Sequence, residues 1–374
     1  MNRQRFVTLL IGAVVVIALA IFWGSRRNST APSEGKAFLP TLAKELGTVT
    51  EVMVQKGSPT PTVTLRKLAD HWVVAERADY PADVSKLQKL LLALADAKIV
   101  EEKTSNPANF PIIGVEEPTA AGATGAGLTL TAKDGKHQII VGKPVGEGDF
   151  ARRGGENSSY VVEPAIPLDT EARSWIEARL IDIPAAQVQS VELKLPPVPA
   201  PASAAATPKA AASAPSAASY AVRRLKPAED NFSIDGVPAG RKALDARALA
   251  PSPTMLSTLD VDDVAPVGSI DFSKPALATI TLADGNVITF TGTVAADKHW
   301  VQLSESKDAA FNTKTQGRAF EIPSYRYDAI FRPLDQVLAP KELPPAPKSG
   351  AAGEKPAAGS KTRSSPKAAS PPAP

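Results

Sequence analysis

The 374-residue sequence predicts an α+β protein: an N-terminal transmembrane helix, then two tandem related α+β domains with mainly antiparallel sheets. Three observations carry this expectation. An uncharged apolar run stands near the start. Short segments further on alternate apolar and polar residues with the period of a half-buried strand. Those segments occur twice in the same order, about 150 residues apart, which is the spacing of a duplicated domain rather than of a solenoid. The organisation read from this is an anchor over 1–27, a linker over 28–45, a first α+β repeat over 46–184 and a second over 185–340. A disordered Ala/Pro/Ser insertion at 196–219 interrupts the second repeat, and a disordered Pro/Ala/Lys-rich tail fills 341–374.

The anchor comes first. Phe6 to Trp23 holds 18 residues without a charge. As a helix it is roughly 27 Å long at ~1.5 Å per residue, close to the ~30 Å hydrocarbon layer of a bilayer. Phe6, Val7, Leu9, Leu10, Ile11, Val14, Ile17, Leu19, Ile21 and Phe22 would meet lipid, and Trp23 would sit at the interface. A cleaved signal peptide fits less well. The run is long for one, and the nearest small-x-small site, Ser29 to Ala31, lies beyond Arg26 and Arg27. Arg3 and Arg5 on one side nearly balance Arg26 and Arg27 on the other; the expected orientation has the short tail inside and the body outside.

Charge and composition then exclude several classes. The net charge of +3 conceals an acidic body: residues 1–27 carry +4 and 341–374 carry +4, leaving Asn28–Pro340 at −5. A slightly acidic body argues against nucleic acid as a partner, since phosphate binding needs a basic face. The absence of Cys removes disulfides, thiolate metal sites and cysteine nucleophiles. Fifteen of the 35 prolines fall in 196–219 and 340–374, so the rest of the chain has an ordinary load.

The repeat is read block by block. Val49–Val54 matches Val188–Leu193, Thr62–Arg66 matches Tyr220–Arg224, and His71–Val74 matches Asn231–Ile234. Leu128–Leu130 before Asp134-Gly135 matches Ile280–Leu282 before Asp284-Gly285; Tyr160–Val162 matches Trp300–Leu303. The last block aligns at an offset of 156, putting Trp175 on Phe331 and Ile181 on Val337. The Asp-Gly pairs are hairpin signals. Val84, Leu87, Leu90, Leu91 and Leu94 recur at helical spacing behind Asp83 as N-cap. A second helix is expected over Asp169–Leu180, with Ala172, Trp175, Ile176 and Leu180 on one stripe. The counterpart of the first helix in the second repeat is shortened, confined by Pro251 and Pro253 to about Thr254–Leu259.

Candidate chemistry is sparse. Asp70 beside His71 resembles a catalytic pair, but adjacent strand residues point to opposite faces, so His71, His137 and His299 read as surface or edge histidines. Asp260, Asp262 and Asp263 resemble a cation site, yet the stretch aligns with the end of the first helix and has no glycine for a calcium loop. Gly122, Gly125 and Gly127 lack the Gly-Lys-Ser/Thr of a phosphate loop and read as a flexible loop. Gly142–Gly155 reads as a long loop with Arg152 and Arg153 at its tip, and Trp72, Trp175 and Trp300 read as core. No catalytic, cofactor or metal residues are assigned.

Several of these residues together resemble a bacterial family, the domain of unknown function 4340. They are Val49–Val52, the Trp72 strand, the leucine-rich helix after Ala82-Asp83-Val84, the turn Ile113-Gly114-Val115-Glu116-Glu117-Pro118, and Tyr160–Val162. The resemblance implies a single-pass protein of the bacterial inner membrane with a periplasmic body. It also implies ABC-type transporter components, of the gliding-motility kind, as membrane partners. The expected function is a non-enzymatic binding or assembly module accessory to such a transporter, anchored in the lipid bilayer. A subunit of an envelope secretion or cell-wall machine is the alternative, and an envelope-polymer hydrolase a minor one.

Overall fold

The structure, a computed structural model, describes residues 35–69, 71–196, 219–226, 231–249, 258–304 and 307–339. The expected anchor from Phe6 to Trp23, most of the insertion, the tail, and residues 254–257 of the expected short helix lie outside the described residues. Among the described residues, no helix is long and apolar enough to cross a membrane.

In chain order, α1 is Leu42–Glu45, β1 Glu51–Gln55, β2 Val63–Leu68, β3 His71–Val74, β4 Tyr80–Pro81, α2 Val84–Asp96 and β5 Lys98–Thr104. Then follow α3 Phe110–Ile113, β6 Ala126–Ala132, β7 Gly135–Val145, β8 Gly148–Arg153 and β9 Ser159–Glu163. β10 Arg179–Ile181 leads into β11 Val188–Lys194, β12 Ser219–Arg224, β13 Phe232–Asp235, α4 Ala246–Leu249, β14 Leu259–Asp260 and β15 Asp263–Pro266. The described chain closes with β16 Ala276–Leu282, β17 Val287–Ala295, β18 Lys298–Ser304, α5 Ala309–Thr315, β19 Arg318–Ile322 and α6 Ser324–Ile330.

Two antiparallel sheets result, with few helices. One has the order β4-β3-β2-β1-β6-β7-β8-β9-β5, the other β13-β12-β11-β16-β17-β18-β19-β15, and β10 pairs separately with β14. Without β4, the two orders coincide strand for strand. The strand that corresponds to β18 is therefore β8, not the β9 that carries Tyr160–Val162; β9 corresponds to β19. The second block also slips. Val52 pairs with Leu65 and Val191 with Val222, so Leu65 corresponds to Val222 rather than Arg223. A slip of one exchanges the faces of a strand, and the buried residues agree: Val63 and Leu65 in one, Tyr220 and Val222 in the other.

Each half is closed by two backbone contacts at its ends. After the last strand the chain returns to the residues just before the first helix. Asp83 N donates to Trp175 O (2.7 Å) and Glu177 N to Pro81 O (2.9 Å); in the second half, Leu244 N donates to Val337 O (3.0 Å) and Ala339 N to Lys242 O (2.8 Å). Trp175 thus corresponds to Val337, and the offset there is 162, not 156. The incoming segments match as well: Ile99 N donates to Lys36 O and Val261 N to Ala178 O, both at 2.9 Å. One half ends at Glu177 and the next begins at Ala178, with no spacer. Phe38, Leu39 and Leu42, inside the stretch expected as linker, are core residues.

α2 forms where its leucines recur. Asp83 Oδ1 accepts from Lys86 N at 3.0 Å, Leu87, Leu90 and Leu94 are buried, and Val84 stays exposed; such a cap contributes about 1 kcal/mol. The second helix expected over Asp169–Leu180 does not form. Only a 3-10 turn over Ala172–Trp175 appears, and Ile176 and Leu180 take extended pairing positions at Ala82 and in β10. Backbone pairing to two neighbours outweighs a weak helical stripe behind Pro167. The insertion joins β11 to β12 as expected, since Lys194 pairs with Ser219 at its base. A single contiguous buried cluster runs through both halves.

Trp175 is fully buried, donates from Nε1 to Asp169 O at 3.0 Å, and carries Lys86 Nζ 4.8 Å above its ring. Trp175→Ala should cost about 3–5 kcal/mol by cavity formation, read as a lowered denaturant midpoint in chemical unfolding of the full chain.

Candidate functional site

The three histidines sit on three different strands. His71 is exposed on β3; His299 on β18 stands against the Tyr327 ring, centroids 5.0 Å apart; His137 on β7 is half-buried. Asp70 lies outside the described residues. His137 Nε2 is 2.7 Å from Glu45 Oε2, and the hydrogen bond from the imidazole holds the Glu45 carboxyl below its usual range. This pair ties α1 to the first sheet, and no sequence signal linked residues 92 positions apart.

The acidic stretch after Leu259 is dispersed rather than convergent. Asp260 pairs with Arg179 at 2.6 Å, and Asp263 pairs with the Arg77 guanidinium. Asp262 is pushed up by burial and by the nearby Glu321 carboxylate. Among the described residues, no group of three or more His, Asp or Glu side chains could hold a metal ion.

Gly122 lies in an exposed turn and Gly125 in a bend, as a loop reading expects, whereas Gly127 is in β6 and the Gly142–Gly155 stretch, expected as a long loop, is mostly strand. Gly142–Gly155 contains most of the β7–β8 hairpin. A Cβ on Gly125 would overlap Gly114 O, and one on Gly142 would overlap Ile113 O; these glycines let α3 and its flanks lie flat on the sheet. The arginines are not at a tip either. Arg152 is buried, donating to Val115 O at 2.9 Å and to Glu117 at 2.6 Å, with its guanidinium over the Phe110 ring. Arg153 donates to Phe38 O at 2.7 Å. Trp175 and Trp300 are buried and Trp72 half-buried; Trp300 faces away from Val301 and Leu303, outside the main cluster.

The structure assembles a charged seam between the halves that sequence reasoning missed. The 3-10 turn Ala75–Arg77 and β4 of the first half meet β15, β19 and α5 of the second. Besides the Arg77–Asp263 pair, Arg318 donates from Nε to Ala78 O and from Nη2 to Asp79 O, both at 3.0 Å. Lys314 Nζ reaches Glu177 at 3.1 Å, and the Tyr80 and Phe320 rings meet edge-on at 5.6 Å. Ala78 and Asp79 both adopt left-handed φ near +54°, which turns their carbonyls toward Arg318. Such backbone geometry leaves no mark in composition.

A second feature is the outer edge of β5. Only Lys36–Phe38 covers it among the described residues, at Ala97–Ile99. Beside it opens a cavity of about 590 Å³ lined by Ala37, Asp96, Lys98, Glu147 and Glu163. Nearby, Asp149 is buried on β8, accepts from Ile166 N at 2.7 Å, and is pushed up by desolvation.

Two outcomes follow from this geometry. A double-mutant cycle of Arg77→Ala and Asp263→Ala should return a coupling of about 1–2 kcal/mol in unfolding free energy, above the range of an exposed pair. For Asp149, the folded-state pKa lies above the unfolded one, so its contribution is fully present below the ordinary carboxylate range and is lost as pH rises through the folded value. Asp149→Asn, which keeps an acceptor for Ile166 N, should therefore gain stability relative to wild type across that window, measured by thermal melts from acid to neutral pH.

Comparison with known proteins adds one finding. The family described as Domain of unknown function (DUF4340) matches residues 72–279, from Trp72 in β3 to Thr279 in β16. No curated protein and no solved structure matches the chain. The matched stretch covers more than half of the 374 residues and runs through both sheets and the seam between them, and the chain belongs to the DUF4340 family.

Proposed function

We propose that this chain is a single-pass inner-membrane protein whose periplasmic body acts as a non-enzymatic binding or assembly module, accessory to an ABC-type transport system. The observation that supports a binding body is the open β5 edge with its acidic cavity. The histidines and carboxylates, in contrast, are spread over separate strands and engaged one by one. The path of the chain fits an anchored body. It reaches the fold at Lys36 on the β5 edge of the first sheet, and Ala339, the last described residue, donates to Lys242 O in the second half. The transporter as partner class comes from the family resemblance alone.

The basic, Pro/Ala-rich stretch after Pro340 favours the second reading, a subunit of an envelope secretion or cell-wall machine, because a spacer of about 3.1 Å per residue where polyproline-like could carry a contact away from the body.

In carbonate-washed membranes the full chain should stay in the pellet, and a chain lacking residues 1–27 should appear in the soluble fraction. A full chain that washes off would remove the anchored reading. Co-purification of ABC-type components with the detergent-extracted full chain separates the transporter reading from the second one.

A further inference from the structure

The two halves differ at one corresponding edge, and the difference identifies a docking surface. In the second half the edge strand is β15, and the first half covers it. Arg77 pairs with Asp263, and Tyr80 packs edge-on against Phe320. In the first half the corresponding strand is β5. Ile99 and Val261 make the same backbone bond to their incoming segments, so two residues further on Glu101 corresponds to Asp263. Ala151 pairs with Tyr160 as Val301 pairs with Phe320, and both Ala151 and Val301 are fully buried, so Tyr160 corresponds to Phe320. The acid that receives Arg77 in one half is thus present in the other, and so is the aromatic, although the Tyr160 ring already meets Phe38 edge-on at 6.1 Å and carries the Arg153 guanidinium 5.3 Å from its centre. There, Val100, Glu101, Glu102 and Lys103 are exposed, and Glu101 pairs with Lys103 at 2.7 Å. The acidic cavity opens at the start of the same strand, at Lys98.

We propose that the β5 edge, Val100 to Thr104 with the adjoining cavity, docks an arginine- or lysine-bearing turn of a partner protein, in the way that the Arg77 turn docks on β15. The inference rests on reading the body as a binding module and names the chemistry of its partner. Charge complementarity supports a basic occupant. Asp96, Glu101, Glu102, Glu147 and Glu163 outnumber Lys36, Lys98 and Lys103 along this edge, and facing charges give specificity and speed encounter. A turn fits better than an added strand. Register shifts between Ile99 and Glu101 and between Glu102 and Thr104 break the regular hydrogen-bonding row that strand addition requires. A second copy of this chain is the poorer occupant, because its own Arg77 turn is already engaged with Asp263.

The test uses the full chain in detergent and a fluorescent, cyclised peptide spanning residues 74–81, which carries Arg77 and Tyr80. Fluorescence anisotropy should show binding, weakened about tenfold or more by Glu101→Gln with Glu102→Gln, and similarly by an Arg77→Ala peptide. Both glutamates are exposed, so the variant should melt like wild type. A charge-matched control, Glu171→Gln with Asp182→Asn, should bind as wild type does. The proposal is overturned if the wild-type chain does not bind the peptide, or if the control weakens binding equally. It is also overturned if light scattering shows a dimer that the Glu101/Glu102 substitutions dissociate, since the edge would then serve self-association. Peptide binding without co-purified transporter components would sink the transporter reading and leave this one standing.

Discussion

Trp175 to Ile181 joins the end of one half directly to the start of the next, and the arrangement of the rest depends on that junction. Trp175 O and Glu177 N close the first half on Asp83 and Pro81; Ala178 O and β10 begin the second on Val261 and β14. A flexible linker would leave two sheets free to reorient, as is usual between domains. Here the closing bonds of one half and the opening bonds of the next share consecutive residues. The Ala75–Tyr80 turn, held beside the same segment through Pro81, is thereby set against β15. Burial reinforces the constraint: Trp175, Leu180 and Ile181 are all part of the cluster that runs through both sheets. The ion pair and the aromatic contact of the seam are consequences of this geometry rather than its cause.

What was legible in the sequence was whatever a short window determines. Asp134-Gly135 and Asp284-Gly285 do fall at hairpin turns, and Asp83 does cap α2. Strand alternation located the strands, but a period of two cannot fix their register: matching apolar letters one or two residues out costs nothing on paper. That is why the order of the blocks survived while Leu65 and Tyr160 were given the wrong counterparts. The failed helix over Asp169–Leu180 has the same origin. Its spacing suits a helical stripe, but Ile176 pairs with Ala82, and Leu180 lies between Arg179 and Ile181, which pair with β14; only the closed fold supplies these partners.

The glycines and arginines failed differently. A run of Gly reads as a loop because Gly loses most entropy on ordering. Gly125 and Gly142 are ordered because backbone must pass within contact distance of them, a requirement set by residues 11 and 29 positions from Gly114 and Ile113. Arg152 and Arg153 read as solvated because arginine usually is. Carbonyls of Val115 and Phe38 receive them instead. The candidate edge was illegible for a related reason: Glu101 and Glu102 are unremarkable charges until their counterpart Asp263 is seen occupied.

That comparison carries weight because the halves control for one another. They share a strand order, so a difference between corresponding positions is a difference of use rather than of fold. A repeated fold must stop somewhere, and end repeats ordinarily carry polar surfaces that prevent further stacking. β5 has such features in its charges and register shifts, and against a regular strand they are effective. They do not discourage a basic turn, which needs side-chain pairing and an aromatic neighbour rather than a ladder. An end designed only to repel would have no reason to keep Glu101 and Tyr160 at the positions where Asp263 and Phe320 receive Arg77 and Tyr80. The first half keeps both, and leaves Glu101 exposed on the edge where the chain enters the fold, while Tyr160 is half-buried against Phe38.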